Sequence, residues 1–80
     1  MRLDKFLKVS RIIKRRTVAN EACDGGRVSV NGRVAKASAD IKVGDVIEIR
    51  FGEKLFKAEV QEVKEHVTKD GAADLYKVIL

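Results

Sequence analysis

Apolar residues fall at Leu3, Phe6 and Leu7, and this spacing of three and four predicts a short helix at the start of the chain. Arg2, Lys5 and Lys8 lie on another face of it. Ile12 and Ile13 end the stripe, and a cationic stretch then makes a turn. Thr17 is a suitable N-cap for a second helix, with Val18, Ala19, Ala22 and Cys23 on its apolar face. Glu21 is expected in the first turn, where the helix dipole favours an anion. Gly25-Gly26 stops the helix, one of the two in the left-handed conformation.

Beyond the glycine pair the period changes from helical to alternating. Val28 and Val30 alternate with Arg27 and Ser29, and Asn31-Gly32 is a favoured two-residue hairpin turn. Residues 35–42 form a polar connection, and Gly44-Asp45 a turn. A strand follows from Val46 to Phe51, with Ile47, Ile49 and Phe51 on one face and Glu48 and Arg50 on the other. Gly52-Glu53 predicts another turn, and residues 55–63 a strand with Phe56, Ala58 and Val60 facing inward. The run TKDGAAD is a loop or one helical turn, and LYKVIL a closing strand. The expected fold is α+β, with two small N-terminal helices packed on a curved antiparallel β-sheet.

Eighty residues make a single domain, 1–80. Apolar residues at 45% and charged residues at 36%, with no proline, describe a compact domain rather than a disordered tail. One cysteine rules out an internal disulfide, and no apolar run reaches the length of a membrane span. The basic amphipathic start is compatible with a transit peptide. However, Asp4, the scarcity of serine and the direct run into a helix start make it part of the fold, in the cytoplasm.

Charge changes the picture more than composition does. The net charge is +5, yet residues 1–40 hold ten Lys/Arg against four Asp/Glu, and residues 41–80 hold seven against eight. Residues 1–16 alone carry seven cations and one carboxylate, Asp4. Such crowding is self-repulsive unless an anion lies against it, so the pattern points to a polyanion or an acidic membrane surface. Arginine, chosen at positions 2, 11, 15 and 16, supplies planar forks suited to phosphate oxygens.

Catalysis finds no constellation. His66 is the only histidine, has no partner at metal-ligand spacing, and reads as a solvated surface residue; no metal and no cofactor are expected. Cys23 reads as a small buried hydrophobe. Asp4 reads as an ion-pair partner that positions Arg2, Lys5 or Lys8. Phe6, Phe51, Phe56 and Tyr76 all fall on inward faces, which leaves no aromatic platform for single-stranded bases. Basic side chains around a helix N-terminus suit the backbone of folded, largely double-helical RNA. A competing reading of another class is peripheral membrane binding through the basic N-terminal helix. A third is a detached targeting domain of an RNA-modifying enzyme.

The succession RLDKFL, SRIIKRRTVANEACDGGRVSVNGRVAK and GDVIEI, over about residues 1–50, resembles the S-four-type RNA-binding domain, the αL motif; strands at 51–80 extend it. The opening MRLDKFLKVSRIIKRRT and the tail RFGEKLFKAEVQEVKE look most like the RqcP family of bacterial ribosome quality control, with the heat-shock-protein-fifteen family as the near alternative. That resemblance implies a non-enzymatic protein; a monomer when free and no membrane partner are also expected. It implies binding to the large ribosomal subunit through large-subunit rRNA and peptidyl-tRNA. It also implies support of alanine tailing of stalled chains together with an RqcH-type tailing factor. Arg2 and Arg16 are then the foremost RNA-binding residues, supported by Lys5, Lys8, Arg11, Lys14, Arg15 and Thr17.

Overall fold

In a computed structural model describing residues 1–80, the chain forms helices α1 (Leu3–Val9) and α2 (Arg16–Asp24). Strands β1 (Val28–Val30), β2 (Arg33–Val34), β3 (Val46–Phe51) and β4 (Lys54–Val60) follow. A 3-10 turn at Ala72–Leu75 then leads into β5 (Tyr76–Val78). The five strands make one antiparallel sheet in the order β2-β1-β3-β4-β5. The expected α+β class and helix-then-sheet order are therefore observed.

Alternation places the core. Leu3, Phe6 and Leu7 of α1 are fully buried, with Ala19 and Cys23 of α2 and Val28, Ile47, Ile49 and Val60 of the sheet. Small residues at positions 19, 22 and 23 let α2 lie close against α1 and β1. The β1–β2 turn has positive φ at both Asn31 (52°) and Gly32 (85°), the type I′ geometry that Asn-Gly favours. Asn31 has a second task. Its side chain donates to Asp45 Oδ1 at 3.0 Å and accepts from Val46 N–H at 2.9 Å, which ties this turn to the start of β3.

The polar connection after β2 is anchored by Ala37 and Ile41, each about 2% exposed. It runs beside the N-terminus: Leu3 N–H donates to Ala39 O, Ile41 N–H donates to Met1 O, and the terminal ammonium meets Asp40 at 2.6 Å. The first residues are thus held from two sides.

Two strand boundaries and the burial of one aromatic differ from expectation. β4 ends at Val60 instead of residue 63, because Gln61 and Glu62 turn their N–H groups to Leu75 O. The closing strand begins at Tyr76, since Leu75 completes the 3-10 turn. Phe51 shares a face with Ile47 and Ile49 but is 48% exposed, because it lies at the end of β3, beyond the cover of the helices. One aromatic face is therefore open, contrary to the expectation that all four aromatics turn inward. It borders an apolar groove of about 380 Å³ with Ile12, Ile13 and Val18.

Candidate nucleic-acid interface

Asp4 organises the basic face. It stands one residue into α1 and is only 2% exposed. Arg2 Nε and Nη2 donate to its two oxygens at 3.1 and 3.3 Å, and Asn20 Nδ2 donates at 3.3 Å. Arg16 Nε lies 3.5 Å from Oδ2. Burial alone pushes the carboxyl pKa upward. The hydrogen bonds from Arg2 and Asn20 and the charges of Arg16 and Arg2 outweigh it, so the group titrates below its ordinary value of 3.8. The sequence reading paired Asp4 with Arg2, Lys5 or Lys8. Of these only Arg2 pairs with Asp4; Lys5 pairs with Glu65 instead, and Lys8 makes no ion pair.

This clamp also explains where α2 begins. Thr17 is not the N-cap: Arg15 is, in extended conformation (φ −114°, ψ 129°), and no side chain caps the helix. Arg16 and Asn20 are four residues apart and therefore share one helix face, so both reach Asp4 only if the helix already includes Arg16. Glu21 consequently lies past the first turn, which holds no acidic residue. Ala19 N–H donates to Arg15 O at 3.0 Å, which leaves the N–H groups of Arg16, Thr17 and Val18 without intrahelical acceptors. An uncapped, positively polarised helix end therefore sits among Lys14, Arg15 and Arg16.

Six of the eight predicted RNA-binding residues fall into two groups. Arg16 and Thr17 border a shallow depression of about 340 Å³ with Asp4, Asn20 and Glu21, and Arg2 joins them through Asp4. Lys8, Arg11 and Lys14 surround a second depression of about 180 Å³, across from Glu65, His66 and Val67. Arg15 is exposed and belongs to neither. Lys5 is half-buried and paired with Glu65. Asn20, Glu65 and His66 were not singled out by charge pattern, since their role here depends on neighbours far along the chain.

No three His, Cys, Asp or Glu side chains are grouped to hold a metal ion. Burial pushes the Cys23 thiol up to about 11, with Asp4 and Asp24 adding to the shift, so it stays protonated at neutral pH. No helix is long and apolar enough to cross a membrane.

The depressed Asp4 titration has a measurable consequence. A folded-state pKa below the unfolded one contributes stability above the unfolded value, and that contribution is lost as pH falls through the folded value. Stability should therefore decline below about pH 4, and Asp4→Asn should make the decline shallower. Denaturant unfolding of both proteins between pH 2 and 6 checks this. Equal slopes would mean that Asp4 is not the group that titrates.

Residues 1–47 match the family model described as the S4 domain. Over 79 residues the chain is 60% identical to the RQC P-site tRNA stabilizing factor of Streptococcus pneumoniae, covering 99% of this chain and 90% of that protein. It is 56% identical to the protein of the same name from Bacillus subtilis, at 99% and 92% coverage. The trimeric structure of Vibrio cholerae heat shock protein 15 superposes with a TM-score of 0.89 at 30% identity, over 98% of this chain and 80% of that one. The chain belongs to the S4 domain family.

Proposed function

We propose that this S4-family chain is a non-enzymatic, RNA-binding factor of ribosome quality control in the cytoplasm. It engages obstructed large ribosomal subunits through rRNA and peptidyl-tRNA. The observation that carries this reading is the surface at the α1–α2 junction. Arg2 and Arg16 are spaced by one buried carboxylate, beside a helix end whose N–H groups have no acceptor in the chain. Donors held in that way suit phosphate oxygens, and backbone contacts position an RNA without reading its sequence. The names of the S. pneumoniae and B. subtilis relatives support the ribosomal assignment and the P-site tRNA as one ligand. The finer part of the reading is that binding supports C-terminal alanine tailing of the stalled chain by an RqcH-type factor. The S4 module then holds RNA while the partner performs the chemistry.

Crosslinking in cells, followed by sequencing of the attached RNA, tests the assignment. Enrichment of large-subunit rRNA together with tRNA is the expected result. Small-subunit rRNA or messenger RNA as the dominant species would overturn it.

A further inference from the structure

The second depression has a composition that the charge pattern of residues 1–16 does not explain. Lys8 comes from α1, and Arg11 and Lys14 from the turn after it. The opposite wall is the segment that follows β4, with Glu65, His66 and Val67. Glu65 is the one carboxylate present, and it is engaged by Lys5. Lys8, Arg11 and Lys14 have no ion-pair or side-chain hydrogen-bond partner, so three uncompensated cations line one small concavity together with His66. Backbone conformation adds an independent sign. Arg11 holds φ at 63°, a left-handed geometry that costs a residue with a Cβ and is usually left to glycine or asparagine. A long basic side chain kept at such a position, aimed at a cavity, has a use there.

We propose that Lys8, Arg11, Lys14 and His66 form one phosphate seat, in which protonated His66 completes the donor set and makes occupancy depend on pH. Histidine changes charge between about pH 5 and 8, and its protonated ring offers two N–H donors. The charged groups around it are Lys8, Arg11, Lys14 and Glu65, the last neutralised by Lys5. A phosphodiester keeps its single negative charge over that range, so any pH effect originates in the protein. Binding favours the protonated ring. Affinity is therefore greatest while the ring is protonated and falls as the ring loses its proton. Naming the anion as an RNA phosphate rests on the RNA-binding reading above.

Because His66 is the only histidine, its ring resonance reports the seat directly. Sodium sulfate, a dianion throughout the range, is the probe, compared with sodium chloride at equal ionic strength. Sulfate should raise the midpoint of the His66 titration by about 0.5 to 1 unit in the wild type. It should leave the midpoint unmoved when Arg11→Gly and Lys14→Ala are combined, and circular dichroism should show that variant folded. In parallel, affinity for a folded rRNA hairpin should fall about three- to tenfold from pH 5.5 to 7.5, and His66→Gln should abolish that fall. RNA binding with the same pH dependence in wild type and His66→Gln, and no sulfate response, overturns the seat while RNA binding stands. A sulfate response without RNA binding keeps the seat and overturns the proposed function.

Discussion

Raising monovalent salt from about 50 to about 200 mM should weaken binding to folded rRNA by about two orders of magnitude or more. The size follows from the ion pairs. Of the seven cations in residues 1–16, Lys8, Arg11, Lys14 and Arg15 make no ion pair, Arg2 and Arg16 share Asp4, and Lys5 meets Glu65. Two carboxylates against seven cations leave an excess of five, so about five phosphates can be neutralised and their counterions released. Titrations at four or five salt concentrations give the slope of log affinity against log salt. A slope near zero would mean that contact is not made through phosphates, and an apolar surface such as the groove at Phe51 would then carry the binding.

The second large effect is expected at Arg16. Arg16→Ala should fold normally but lose roughly 1–3 kcal/mol of RNA binding, on the scale of charge-assisted hydrogen bonds; that is about 5- to 150-fold in affinity. Its Nε lies 3.5 Å from Asp4 and the side chain is about half exposed, so the guanidinium remains accessible to a ligand. Asp4 keeps its hydrogen bonds from Arg2 and Asn20 in the variant, so the buried carboxylate stays partnered and thermal unfolding should move little. Arg16→Lys should recover only part of the affinity, because an ammonium keeps the charge without the fork. Lys77→Ala, on exposed β5, is the control and should change little. All three are measured at fixed salt on large subunits carrying peptidyl-tRNA. Wild-type affinity for Arg16→Ala, or equal damage from Lys77→Ala, would place the RNA on another surface.

Much of this arrangement is written locally in the chain. The three- and four-residue spacing of Leu3, Phe6 and Leu7, the alternation from Val46 to Val60 and the Asn31-Gly32 turn each depend on neighbours a few residues away. Propensity and turn chemistry therefore suffice to read them. The crowding of cations before α2 is equally local, and it identifies the basic face without any coordinates.

What tertiary structure decided is everything that depends on distant partners. Thr17 is a reasonable cap by its own chemistry, yet α2 starts earlier because Arg16 and Asn20 must both reach Asp4, twelve and sixteen positions back. Phe51 continues the inward face of β3 by alternation, yet it is exposed because cover depends on how far α2 extends over the sheet. Glu65 and His66 look like solvated charge in the sequence, and only the return of the chain after β4 sets them opposite Lys5, Lys8 and Arg11. Periodicity specifies which face of an element is apolar. It does not specify which charges the packed elements bring within a few ångströms of each other, and at those distances charge pairing determines how the basic residues are presented.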